Sequence, residues 1–435
     1  MKRITSWGPN DEKFWRETGE KVAKRNLWIS AFALHLAFCV WQVWSVISVD
    51  LPNIGFDYST TQIFTLTGLP ALSSALLRML YSVVIIYFGG RTWTVISTVV
   101  LLIPLIGISI AIQNPDTPFV VMALLSILCG LGGANFSSSM ANIGPMFPTE
   151  KQGTALGING GLGNLGVSTV QLLTPLVITF PLFSALAGEP QILSANGEDS
   201  RVWLQNGAFL WVIPIVIMTI VAFFGMNDLP RPKTSIAEQF QIFRRKHMYI
   251  VTILYIMSFG SFIGFSAAFP LLINNQFPTV NAFQFAFIGP LLSSVFRTVG
   301  GYLSDQFGGA VVSFISVVAM ITGTGGVMYF MSEQTSHFSG FFIMFLVLFL
   351  SGGIVNGSIF RMIPFIFREK ETSAAIGFSS AVGSLGGFFI PNMFGLSIDL
   401  VGTAQLALLV FLFYYILCSV LLWYYYMRPS AEIKC

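Results

Sequence analysis

Arg78, Arg297 and Arg361 lie inside long apolar runs of this sequence. A cation at the centre of a membrane-spanning helix costs about 2.5–3.5 kcal/mol on insertion scales, so each needs a partner or a task. The ordinary partner is a carboxylate of the same chain. None of the nineteen acids falls in the middle of an apolar run; Asp50, Asp305 and Asp399 come nearest, at run ends. Arg78 and Arg297 are therefore expected to face each other and bind a small anion together, because a guanidinium fork matches a planar oxyanion at two points. The competing expectation is that they bond to helix carbonyls or snorkel to an interface. Arg361 aligns with Ala141 in an internal repeat and has no cationic counterpart, so a structural role and a gating role stay open for it.

Asn164, Ser380 and Asn135 are polar side chains at membrane depth that could donate hydrogen bonds to such an anion or bridge helices, the commoner use. Tyr255 and Phe259 are four residues apart and share one helix face. His35 is the one histidine deep in an apolar run, readable as a proton relay or as a neutral, hydrogen-bonded core imidazole. Two runs are glycine-rich, 153-GTALGINGGLGNLGVS-168 and 377-GFSSAVGSLGGFF-389. Small residues let helix backbones approach closely where lipid gives no hydrophobic drive for association. Gly161, Gly163 and Gly166 also fit the literal dinucleotide-binding spacing, but that motif needs a preceding strand and a βαβ unit, so close packing and bending are the reading adopted. Cys39, Cys129 and Cys418 sit in apolar runs and suggest neither disulfides nor a metal cluster. No cofactor, metal or nucleic-acid partner is expected.

The elements that position these residues follow from composition. Of 435 residues, 9% are charged and 54% hydrophobic, against roughly 25% charged in soluble domains. The apolar residues form twelve stretches, at 27–50, 62–87, 92–112, 118–145, 152–180, 208–226, 248–275, 282–306, 310–332, 340–367, 372–398 and 403–427. Each is long enough to cross a hydrocarbon core of about 30 Å as a helix. A soluble enzyme is excluded, and so is a porin-like barrel, whose segments would be about ten residues long and alternate in polarity. The expected fold is an all-α membrane protein with twelve transmembrane helices. Residues 1–26 read as a retained polar tail and not a cleaved signal. With both termini on one side, that side receives eighteen Lys/Arg and the other only Arg201, which predicts cytoplasmic termini and an even number of spans.

Shifting the sequence by about 219 residues lays Arg78 on Arg297 and Phe88-Gly89-Gly90 on Phe307-Gly308-Gly309. A shift of 220 lays Gly157, Gly163, Leu165 and Gly166 on Gly377, Gly383, Leu385 and Gly386. The expected organisation is two six-helix halves in parallel pseudo-repeat, 27–226 and 248–427, joined by a cytoplasmic linker at 227–247 and followed by a tail at 428–435. Parallel halves with a central site are one of the known transporter plans.

Gly301-Tyr-Leu-Ser-Asp-Gln-Phe-Gly308 resembles the loop motif of the major facilitator superfamily. The paired glycine helices, the arginine in the second helix of each half, the tail Trp7-x-Pro9-x-Asp11-x-x-Phe14-Trp15 running into 25-RNLWIS-30, and the runs 133-GANFSSSMANI-143 and 259-FGSFIGFSAAF-269 resemble the NarK-type nitrate/nitrite porters of that superfamily. The similarity spans essentially the whole chain. It implies the major facilitator fold in a bacterial inner membrane, with nitrate and nitrite as substrates and the lipid bilayer as surroundings, working as a monomer. It further implies that Arg78 and Arg297 clamp the anion, Phe136 and Phe259 sandwich it, and Tyr255, Asn164 and Ser380 hydrogen-bond to it. Gly160, Gly161, Gly163, Gly383, Gly386 and Gly387 would form the packed, bending helices.

Coupling has a physical argument of its own. A proton-moving transporter usually carries a titratable group in its path, and mid-membrane positions here offer only His35. Two fixed cations are unfavourable when empty, which favours exchange of one anion for another, nitrate inward and nitrite outward. Nitrate/proton symport is the main alternative, with Arg361 and His35 as the residues to probe. A gated anion channel or a nitrate sensor comes behind these, the sensor lacking a soluble signalling domain. An enzyme is not expected, since the spans show no nucleophile with its base and no metal-ligand spacing.

Overall fold

The computed structural model describes residues 4, 6–182, 188–195, 198–230, 240–332, 334–367 and 369–435. Residues 231–239 of the expected linker, and Arg368, lie outside them. Among the described residues, eleven helices are both long and apolar enough to cross a membrane: α1 Glu12–Asp50, α2 Thr60–Phe88, α3 Gly90–Ala111, α4 Phe119–Met146, α6 Asn206–Gly225, α7 Lys246–Gln276, α8 Ala282–Phe307, α9 Gly309–Met331, α10 Phe338–Ile366, α11 Ala375–Val401 and α12 Gln405–Met427. The twelfth, α5 Thr149–Val177, has 29 residues and ample length. Its glycines, Asn164 and Gln171 dilute its hydropathy, so its place is set by packing against α1 and α4.

Two features differ from the expectation. The first helix begins at Glu12, far ahead of the apolar run, because the Asp11 side chain caps it by accepting from Lys13 N at 2.9 Å and Phe14 N at 3.2 Å. Trp15 is then buried in a cluster with Leu27, Ile143, Met146 and Phe147, against which Trp7 and Leu229 pack, so the described part of the tail after Trp7 is folded and not free. Between α5 and α6 lies an antiparallel hairpin, β1 Gln191–Ala195 with β2 Glu198–Val202, in the register Gln191↔Val202. It is tied down where Gln191 Nε2 donates to Gln205 Oε1 (2.7 Å) and Trp203 N to the Ile178 carbonyl (2.7 Å).

The chain divides into two compact units, residues 1–57 with 73–236, and 58–72 with 237–435. Within each, the repeat has a physical counterpart. Gly89 and Gly308 both take positive φ, 85° and 86°, at the N-cap of the helix that follows, a conformation that side chains other than glycine rarely adopt. The next glycine then meets the fourth or tenth helix tightly. A Cβ on Gly90 would lie 1.7 Å from Asn142 Oδ1, and one on Gly309 would lie 2.4 Å from Met362 Cγ. In the first unit the Asp228 carboxylate completes this corner by accepting from Arg91 N at 2.8 Å and Thr92 Oγ1 at 3.3 Å, where a helix N-terminus favours negative charge.

Candidate anion-binding site

In the first unit Arg78, on α2, is 1% exposed. Its guanidinium carbon stands 5.0 Å from the Phe136 ring centroid on α4 and 5.3 Å from that of Trp41 on α1. Nε donates to the Gly133 carbonyl at 3.1 Å. That approach needs a bare backbone at Gly133, where a Cβ would sit 2.5 Å from both Ser74 Oγ and the Trp41 ring. Two aromatic faces and a carbonyl thus fix the orientation of a cation that lipid would reject. Phe136 also lies 6.3 Å from Phe38 and so belongs to an aromatic group reaching across α1 and α4.

The α5 residues are placed by their glycines. A Cβ on Gly160 would meet Met140 Cε at 2.8 Å and the Phe136 ring at 3.5 Å; one on Gly163 would meet Leu34 at 2.7 Å, and one on Gly166 the His35 carbonyl at 2.2 Å. Asn164, one turn after Gly160 and on the same face, is 1% exposed, and its Oδ1 has no hydrogen-bond partner among the described residues. Gly161 departs from the expectation of tight packing: a Cβ there would meet nothing within 4 Å. Of the two uses open to it, Asn135 takes the commoner one, reaching a neighbouring helix. Its Nδ2 turns toward the Ser97 carbonyl of α3 (3.5 Å), away from the face that its neighbour Phe136 presents to Arg78. His35 Nδ1 bonds to the Leu162 carbonyl at 2.9 Å; a carbonyl only accepts, so the ring proton is on Nδ1 and ties α1 to α5.

In the second unit Arg297, on α8, rests on the Phe360 ring of α10, with its guanidinium carbon 5.3 Å from the ring centroid. Its Nη1 is buried and has no hydrogen-bond partner among the described residues. Phe360 is 6.3 Å from Tyr255, which stacks on Phe259 at 5.5 Å and 25° between ring planes. Arg297, Phe360, Tyr255 and Phe259 therefore form one chain of contacts from α8 through α10 to α7. Phe259 lies in a π-type turn, Ile256–Gly260, and both Tyr255 and Phe259 are buried. Such single π turns often mark functional positions.

Helix α11 backs this chain. A Cβ on Gly383 would lie 2.6 Å from Tyr255 Cδ1, one on Gly386 2.4 Å from Gly260 Cα, and one on Gly387 2.6 Å from Ile263 Cγ2. Ser380 is buried on the same helix and donates to the Gly377 carbonyl at 2.9 Å. Arg361 is a different case. Its Nε donates to the Asp305 carboxylate, and both side chains are about half exposed (48% and 49%). It is an ion-paired residue linking α10 to α8, so the carboxylate at the run end does find a cation.

Sequence reasoning missed Trp41, the Gly133 carbonyl and Phe360. Gly133 and Trp41 lie in runs noted only for apolarity or family likeness, and Phe360 stands one turn after the repeat equivalent of Phe136, which is Asn356.

The family profile of the Major Facilitator Superfamily matches residues 33–391. The nitrate/nitrite transporter NarU of Salmonella typhimurium is 45% identical, the alignment covering 99% of this chain and 97% of that protein. The probable nitrate/nitrite antiporter NarK2 of Thermus thermophilus is 38% identical, over 99% of this chain and 98% of its own length. Among solved structures, a D-xylose–proton symporter superposes with TM-score 0.73 at 16% identity, over 92% of this chain and 97% of that one, a likeness of fold alone.

Proposed function

Because the chain belongs to the NarK-type nitrate/nitrite transporters of the major facilitator superfamily, we propose that it exchanges nitrate inward for nitrite outward by alternating access across the bacterial inner membrane. It is a multi-pass secondary transporter and not an enzyme. Arg78 and Arg297 converge on one anion, each giving part of a two-point hydrogen-bond fork to a planar oxyanion. Phe136 and Phe259 close over the flat faces of the anion, and Tyr255, Asn164 and Ser380 supply further hydrogen bonds to its oxygens.

The observation that carries this reading is the Arg297 guanidinium. It is held over an aromatic ring with a buried Nη1 that no described group satisfies, and a buried donor without a partner costs about 1–3 kcal/mol, more when charged. A bound oxyanion removes that cost. Exchange follows from the same balance: with Asp305 committed to Arg361, an empty pair of arginines is the least favourable state to carry across the switch. Return without cargo is therefore slow, and a second anion speeds it. The halves rock about the central site, with residues 27–226 and 248–427 as the moving bodies and 227–247 as the linker. Eighteen Lys/Arg on one side against Arg201 on the other put both termini in the cytoplasm.

The test is counterflow in proteoliposomes. Labelled nitrate should enter vesicles preloaded with nitrite and not vesicles loaded with chloride. Uptake that needs no internal nitrite and follows an imposed pH gradient would contradict exchange.

A further inference from the structure

Away from the arginines, the first unit contains a cavity of about 10 Å3 between α1, α3 and α4, lined by Ser30, Thr94, Ser97, Asn135, Ser138 and Ser139 among others. Asn135 is 6% exposed, and its Oδ1 has no hydrogen-bond partner among the described residues. Its Nδ2 reaches the Ser97 carbonyl only at 3.5 Å, beyond the usual range of about 2.7–3.2 Å. The other polar groups are partly engaged: Ser30 Oγ shares a bond of 2.8 Å with Ser139 Oγ, which accepts from Asn159 Nδ2 at 2.7 Å; Ser138 Oγ donates to the Asn135 carbonyl and Thr94 Oγ1 to the Gly90 carbonyl.

The second unit shows what this corner looks like when closed. Thr94 and Ser138 correspond in the repeat to Ser313 and Ser358. There Ser313 Oγ donates to Ser358 Oγ at 2.9 Å, Ser304 Oγ donates to it at 2.8 Å, and Ser358 Oγ passes its own proton to the Gly309 carbonyl at 2.7 Å. In the first unit position 85, the equivalent of Ser304, is isoleucine, and Thr94 and Ser138 turn to separate carbonyls.

We propose that this cavity is a binding site for one water molecule, which donates to Asn135 Oδ1 and joins α3 to α4 where the second unit uses serine hydroxyls directly. The volume is about the least that holds a water, and the lining supplies more than the two to four polar partners it requires. A sodium ion fits the oxygen lining less well. The lining contains no carboxylate, and Arg78 puts a fixed positive charge on the Gly133 carbonyl, two residues from Asn135. The site does not depend on what the protein transports.

The test is a high-resolution crystal structure of the full chain, once in sodium buffer and once in potassium buffer without sodium. The result expected is the same isolated peak in both, about 2.7–3.2 Å from Asn135 Oδ1 and at least one serine hydroxyl. An empty cavity, or a peak present only with sodium, would overturn the assignment. In Asn135→Leu, similar in size but without polar atoms, the peak should be gone. If it stayed, Asn135 would not be the residue that holds it.

Discussion

A guanidinium at membrane depth is fixed by what covers its two faces and what accepts from its five N–H groups. Arg78 has Trp41, Phe136 and the Gly133 carbonyl; Arg297 has Phe360. Cation–π contact contributes about 0.5–1 kcal/mol when exposed and about 2 when desolvated. Phe360→Leu, which keeps apolar bulk and removes the ring, should therefore weaken nitrate binding about two- to thirtyfold in a radioligand assay; unchanged affinity would remove Phe360 from the account. Arg361 should behave differently. A double-mutant cycle of Arg361→Gln and Asp305→Asn should give a coupling below about 1 kcal/mol, as befits a half-exposed pair, with nitrate binding retained. The sequence revealed the two deep arginines through apolarity and repeat alone. It did not reveal that Arg361 meets Asp305, 56 residues away, because that pairing depends on the phase of two helices against each other.

Glycine-rich runs announce close helix contact, but the sequence does not say which glycine makes it. Gly386 meets Gly260 backbone to backbone, while Gly161 faces open space. Gly386→Ala should thus lower stability by about 1–3 kcal/mol through overpacking and shift the melting midpoint down. Gly161→Ala should leave the midpoint unchanged or raise it, since alanine is the better helix former by about 1 kcal/mol. A reversed order of the two midpoints would show that the contacts of α11 with α7 are misassigned. Two other elements were illegible for identifiable reasons. The start of α1 at Glu12 depends on the Asp11 cap and the burial of Trp15, signals that an apolar-run reading passes over. The hairpin of β1 and β2 is short and partly polar. The Asn196-Gly197 dipeptide between its arms is the sequence cue for it.

For the whole molecule, twelve crossings could be read from the apolar runs, because hydrocarbon thickness sets helix length, and the repeat and the charge asymmetry from the order of residues along the chain. The local corners at Gly89 and Gly308 give the repeat its physical content. The proposed cytoplasmic tail adds a pH effect. Glu432 accepts from Lys246 and His247, and the Lys246 hydrogen bond above all holds its carboxyl below the usual carboxylate value. A depressed carboxylate stabilises the fold above its unfolded value, and that contribution is lost as pH falls through the folded one. The melting advantage of the native protein over Glu432→Gln, small for so exposed a pair, should therefore be present at pH 7 and fade as pH drops below the ordinary glutamate value of about 4.3. The central claim, that two arginine forks grip one planar anion, is tested most directly by equilibrium binding of labelled nitrate to purified Arg297→Lys with its melting midpoint as control. The account predicts a folded protein that no longer binds, since an ammonium keeps the charge and loses the fork; native affinity in that variant would contradict it.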